Sequence, residues 1–201
     1  MKPIQIAITL FASIGILGLG NAKPTVAYMP QGYVGQQFER LQLSPAPASV
    51  DLLEQGRKKQ DLEDYAGAIS DYTEYLRLHP THLEAYKSRG FARAMMNDLS
   101  GAIADFDRAV EISPRHADAY NARGNVHAMA GHLVASLRDF NLAIRIDRNF
   151  ADAYYNRALS RHGLGDSYGA KSDLSRAAQL FRQQRDIGGY QQAREWMDKL
   201  R

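Results

Sequence analysis

Between residues 49 and 184 the apolar positions of this chain fall at the three-and-four spacing of amphipathic helices, and the pattern returns to the same phase every 34 residues. Ala85-Tyr86, Ala119-Tyr120 and Ala153-Tyr154 are one pair carried forward twice. Three residues after each Tyr stands Arg89, Arg123 or Arg157, followed by Gly90, Gly124 or Ala158. Asp71, Asp105, Asp139 and Asp173 share a further column, with Tyr72, Phe106, Phe140 and Leu174 next to them. A period this strict marks stacked copies of one supersecondary unit.

Each unit reads as two helices. Asp64, Asp98 and Asp166 stand just before a second apolar run, where a carboxylate accepts the unpaired N–H groups of a first helical turn. His132 takes that place in the third unit and is a poorer cap. Pro80 and Pro114 end the second helices of the first two units, because Pro cannot continue a helix. Arg148 and Arg182 replace that Pro later, which leaves those ends less sharply defined. Gly56, Gly90, Gly124 and Ala158 form a small-residue column in the first helices. Ala68, Ala102, Ser136 and Ala170 form another in the second helices. Gly inside a helix costs up to about 1 kcal/mol against Ala, so its recurrence calls for close packing at that point. After the last unit, Gly188-Gly189 is expected to break the chain, and Tyr190, Ala193, Trp196, Met197 and Leu200 make an apolar stripe fit to cap an array.

These columns resemble the tetratricopeptide repeat (TPR) family. An aromatic, Gly four residues on, then Ala, aromatic, Ala and Pro at fixed later offsets match at 49–82, 83–116, 117–150 and 151–184. The Arg-Gly form is similar to a common bacterial subtype. Leu52 and Gln55 depart from the pattern in the first unit, and Tyr75 stands where Ala is usual, as suits an exposed terminal repeat. The resemblance implies an all-α fold: a right-handed superhelix of four helix-turn-helix repeats (49–187) with a capping helix over 188–201. It also implies a binding scaffold whose first helices line a concave face. By repeat position that face presents Arg57, Lys87, Phe91, Met95, Asn121, Asn125, Met129, Tyr155, Leu159 and His162. Asn121 and Asn125 are helical neighbours able to bond a partner's backbone. Phe91, Met95, Met129 and Leu159 either offer adaptable apolar contact or bury against adjacent helices. The family's carboxylate clamp, which grips acidic C-terminal peptides, is matched only by Lys87; Phe91, Ala122 and Asp152 occupy its other positions.

Composition narrows the chemistry. The chain is 45% hydrophobic and 23% charged, with 25 basic against 22 acidic side chains and a net charge of +3. So weak a bias, with no aromatic-basic cluster, gives no nucleic-acid reading. Absence of cysteine excludes disulfides, thiolate metal sites and a Cys nucleophile. The six histidines form no three-ligand set, and no phosphate loop, nucleophile elbow or zincin motif occurs, so neither a metal, a cofactor nor an enzyme is expected. The Arg and Asp columns lie sixteen residues apart, and a folded hairpin would bring Arg89 to Asp105, Arg123 to Asp139 and Arg157 to Asp173 in two-hydrogen-bond pairs. The alternative is an Arg ladder for anionic partners.

The N-terminus reads as an export leader over 1–22. Lys2 precedes an apolar run from Ile4 to Leu19, and Gly20-Asn21-Ala22 offers a small-residue cleavage site, with Thr25-Val26-Ala27 as a second. An uncleaved anchor is the competing reading, although the run is short for a hydrocarbon core of roughly 30 Å. Residues 23–48 carry Pro, Gly and Gln without apolar period and read as a flexible linker. The expectation is an exported, non-catalytic scaffold or assembly factor for a protein or peptide partner, in the periplasm or an equivalent lumen. The alternative is a structural homo-oligomerisation module that pairs through the exposed end of unit one. N-terminal sequencing of protein from the envelope fraction is expected to begin at Lys23, or at Tyr28 if the second site is used. Intact Met1 on soluble cytoplasmic protein overturns the leader.

Overall fold

The computed structural model describes residues 47–200, with side chains from residue 51. The leader and nearly all of the linker therefore lie outside the described residues. Among those residues there are nine helices and no strand. They run α1 (Pro47–Asp61), α2 (Tyr65–Leu78), α3 (Leu83–Met95), α4 (Leu99–Ile112), α5 (Ala117–Met129), α6 (Leu133–Ile146), α7 (Ala151–Gly163), α8 (Ser167–Gln184) and α9 (Ile187–Lys199). Each first helix packs on the second helix of its own hairpin, and each second helix on the next first helix.

Local signals account for the boundaries. Asp64, Asp98 and Asp166 accept from the N–H of Gly67, Gly101 and Gly169, whereas His132 makes no cap bond. The turns between paired helices need one residue in the left-handed region. Glu63, Asn97, Gly131 and Gly165 fill it with φ of 60°, 62°, 77° and 85°, so glycine serves the last two turns without strain. His82 and His116 cap α3 and α5, each accepting on Nδ1 from the N–H three residues on. Loss of Pro has unequal effects: α6 still ends at Ile146, while α8 runs on to Gln184. Gly188-Gly189 does not break the chain. The reversal is at Arg185 in the left-handed region, with Asp186 capping α9. Both glycines lie in the first turn of α9, and a Cβ on Gly189 would stand 2.6 Å from the Phe181 ring.

The core is a size-matched stack. A Cβ on Gly56, Gly90 or Gly124 would stand 2.6, 3.0 or 2.7 Å from the ring of Tyr72, Phe106 or Phe140. The fourth unit pairs Ala158 with Leu174 instead, and both are buried in one cluster. An extra methyl on the first helix is tolerated where the facing ring is gone. Unit one exchanges size in another column. Units two to four put Tyr86, Tyr120 or Tyr154 on the first helix and Ala109, Ala143 or Ala177 on the second; unit one puts Leu52 opposite Tyr75. The stripe on α9 closes the array: Ala193 is fully buried, with Tyr190, Trp196, Met197 and Leu200 packed around it.

Arginine holds the hairpins together. Arg89, Arg123 and Arg157 each donate through Nε and one terminal nitrogen to both oxygens of Asp105, Asp139 and Asp173, at 2.6 to 3.0 Å. The remaining nitrogen reaches back to the preceding unit, to Thr73, Asp107 or Asn141. Each guanidinium also lies 5.4 to 5.6 Å from the centroid of Tyr86, Tyr120 or Tyr154. Asp139, then burial in the opposite sense, then the remaining charge-assisted bonds set the Arg123 pKa, and the net shift is upward. The Arg-ladder alternative is thereby excluded. A second column supports the same carboxylates: Lys59 is 2.7 Å from Asp71, Arg93 and Arg161 are 2.9 Å from Asp105 and Asp173, and His127 is 3.8 Å from Asp139. His127 is the weak member. Its Nδ1 is buried without a partner, and burial lowers its pKa despite Asp139.

Size matching predicts a coupling. Gly124→Ala should be more favourable in a Phe140→Leu background than in the wild type by about 1 kcal/mol or more, since overpacking typically costs about 1–3 kcal/mol. Urea midpoints of the four proteins measure it. Additivity would mean that the ring yields freely.

Candidate partner-binding face

The first helices put one surviving column after another on a common face. Phe91, Met95 and Met129 are 46%, 51% and 58% exposed, large apolar side chains left open to solvent while Ala85, Gly90, Ala92, Ala94, Ala119 and Gly124 of the same helices are buried. Phe91 and Met95 are i,i+4 neighbours on α3 and so lie on one side of it. The ring of Tyr65 stands edge-on to Phe91 at 6.3 Å. Between α3 and α5 a hollow of about 230 Å³ is lined by Glu84, Lys87, Phe91, Asp118 and Ala122, with Phe106 also contributing. A second hollow, about 170 Å³, lies between α5 and α7 among Asn125, Leu133, Asn156, Leu159 and Ser160.

The face differs in detail from the sequence reading. Arg57 is exposed on α1. Asn125 and Leu159 line the second hollow. Asn121, expected as a free donor, is only 7% exposed, and its Oδ1 accepts from Asn156 Nδ2 at 3.2 Å. It joins α5 to α7 instead of facing a partner, because the stacking of the next unit covers its end of the helix. Tyr155 packs, with Trp196, against the cluster closed by α9. Burial raises its pKa most, with Glu195 adding to the effect. His162 is 5.9 Å from the Trp196 ring and belongs to the same junction. Both assignments shift for one reason: α9 covers the end of the fourth unit's first helix.

Lys87 is spent as well. Its ammonium is 2.5 Å from Asp118 and 3.2 Å from Glu84. Burial lowers its pKa, the two carboxylates outweigh that, and the net shift is upward. It tethers α3 to α5, so the single match to the carboxylate clamp is not free for an acidic peptide. The column it serves escaped the sequence reading, although the signal was there: Glu84, Asp118 and Asp152 also stand 34 residues apart, at the second position of α3, α5 and α7. Among the described residues no cation is paired with Asp152. Its carboxyl lies above the ordinary range, first through partial desolvation, then through Asp186 and Asp118.

Among the described residues no group of three or more His, Asp or Glu is placed to hold a metal, and no helix is long and apolar enough to cross a membrane. The four buried aspartates are each engaged by a cation of the frame.

Comparison with known proteins agrees with the geometry. Residues 95–131 match the TPR repeat family. No curated protein matches the chain. Among solved structures, a crystal structure of MamA superposes with a TM-score of 0.66 at 23% identity, covering 80% of this chain and 100% of that one. MamA 41-end from Desulfovibrio magneticus RS-1 gives 0.62 at 16% identity, covering 77% and 94%. The first TPR of Spaghetti (RPAP3), bound to the HSP90 peptide SRMEEVD, gives 0.56 at 21% identity, covering 59% and 94%. The fold is therefore that of TPR helical repeats.

The raised Asp152 carboxyl predicts a pH effect. The folded state holds this proton more tightly than the unfolded chain, so its contribution to stability is full in acid and is lost as pH rises through the folded pKa. Asp152→Asn should raise the melting temperature at pH 7 relative to wild type, and the gain should shrink toward pH 3. Because the residue is exposed, the gain stays within the roughly 0–1 kcal/mol of screened surface charges. Melting curves across pH check both features.

Proposed function

We propose that this chain is a non-catalytic protein–protein interaction scaffold or assembly factor that receives a segment of a partner on the concave, first-helix face of its TPR array. The observation that carries the proposal is that Phe91, Met95 and Met129 are the large apolar side chains left exposed on the first helices among the described residues, on a face that also holds two hollows, whereas the equally exposed Leu62, Met96 and Leu164 lie in the turns between paired helices. Apolar side chains retained at the surface of a rigid frame gain free energy when a partner covers them. Support by analogy comes from the TPR domains of Spaghetti and yeast Sti1, each solved in a complex, the first with an HSP90 peptide and the second with pHsp70. Lys2, the apolar run after it and Gly20-Asn21-Ala22 support export, with the scaffold working in the periplasm or an equivalent lumen.

The test is capture of a partner from the envelope fraction by the full chain and by two variants. Met95→Ser with Met129→Ser removes apolar area from the proposed face. Both residues are about half exposed, so the helices should remain intact. Glu111→Lys changes an exposed position on a second helix and serves as the control. The reading requires that the Met pair lose the partner by about tenfold or more while the control keeps it, a difference near 1.4 kcal/mol. Retention by a folded Met pair places recognition elsewhere. A concentration-dependent rise in mass that needs no partner, and is abolished by changes at the exposed end of unit one, would favour the self-association alternative.

A further inference from the structure

The concave face is electrically polarised along the array. At the end nearest unit one stands Arg57, exposed. From there on the face carries Glu84, Asp118 and Asp152, one per unit at the same helical position, with Asp186 following at the start of α9. Among the described residues Lys87 is the Lys or Arg paired with them, already holding both Glu84 and Asp118, and His116 stands 3.9 Å from Glu84. Asp186 accepts from the N–H of Gly189 as the N-cap of α9 and is paired with no Lys or Arg among the described residues. Asp152 stands between Asp118 and Asp186 with no paired cation among the described residues. On the same first helices, toward their C-terminal ends, stand the open apolar side chains of Phe91, Met95 and Met129.

We infer that the partner segment is cationic as well as apolar: apolar side chains cover Phe91, Met95 and Met129 while Lys or Arg side chains are taken by the Asp118–Asp152 edge. This rests on the reading of the first-helix face as the partner site. Charge complementarity is the argument for this occupant. A carboxylate beside another carboxylate, with no cation of its own, is relieved by a cation brought by the ligand, and an acidic segment would add a third like charge. Directly packed helices stand about 8–10 Å apart, and α5 and α7, which meet at Asn121 and Asn156, stand at least that far apart. A helical segment presents same-face residues seven apart at about 10.5 Å, so basic residues at that spacing can meet Asp118 and Asp152 in register. The polarity of the face also sets direction: the basic end of the segment lies over units three and four, away from Arg57.

Two synthetic 15-residue helical peptides make the test, both with a leucine stripe, one carrying Lys and the other Glu at seven-residue spacing. Binding to the full chain is measured by fluorescence anisotropy at low and high salt. The Lys peptide should bind and the Glu peptide should not. Asp118→Asn with Asp152→Asn should weaken the Lys peptide about fivefold or more and flatten its salt dependence. Both aspartates are exposed, and circular dichroism should report an intact array. Equal or tighter binding of the Glu peptide, or unchanged binding of the Lys peptide to the Asn variant, overturns the cationic assignment. If Met95→Ser with Met129→Ser still weakens whichever peptide binds, the concave-face reading survives that failure. If no bound peptide responds to the Met pair, that reading fails with it. Binding of neither peptide also overturns the cationic assignment, and the capture experiment then decides the face independently.

Discussion

A single guanidinium in each of units two to four ties three helices together, and the rest of the array is built around it. Arg123 donates two hydrogen bonds to Asp139 in its own hairpin and a third to Asp107 in the preceding one, with Tyr120 lying against its plane. A planar fork with five donors can satisfy a buried carboxylate and still reach outward; a lysine could not do both in one geometry. Asp105, Asp139 and Asp173 are almost wholly buried, so removal of the Arg would leave an uncompensated charge in the frame. Unit one shows what a lesser arrangement looks like. Gln55 stands at the Arg position, and Asp71 makes do with Lys59 at 2.7 Å, one of its buried oxygens lacking an aligned hydrogen bond.

Around that tie the helices approach until small residue meets large. The Gly column of the first helices exists because a ring occupies the space a Cβ would need, and the fourth unit exchanges Gly and ring together for Ala158 and Leu174. The Leu52–Tyr75 exchange in unit one obeys the same rule in another column. Close packing by paired exchange makes the frame rigid, and rigidity gives the exposed face its use. Side chains held on ordered helices cover a partner without first being ordered themselves.

The face is functionally legible only after the frame is subtracted. Once Arg89, Arg123 and Arg157 are assigned to packing, and Lys87 to Glu84 and Asp118, the first helices from unit two onward still offer apolar side chains at Phe91, Met95 and Met129 and an acidic one without a paired cation at Asp152. That sign is opposite to what a grip on an acidic tail requires. The same subtraction accounts for the buried carboxylates, which are already paired within the frame.

Repeat period, helix class, caps at Asp64, Asp98 and Asp166 and the Arg–Asp pairing were all readable from residue order, because each is set within one hairpin and recurs in phase. A column repeated several times announces its role before any contact is seen. The nitrogen caps from His82 and His116, the reach of each Arg to the preceding unit and the withdrawal of Asn121 and Tyr155 from the open face were not readable in this way. Those depend on which neighbour covers a given stretch of helix. At the interior of the array the neighbour is another copy of the motif, and at its end it is α9, whose Trp196 and Ala193 close over the fourth unit. Local sequence specifies the helices and the chemistry they carry; burial against the next unit decides which of those side chains remain available, since a group paired or covered there has nothing left to offer a partner.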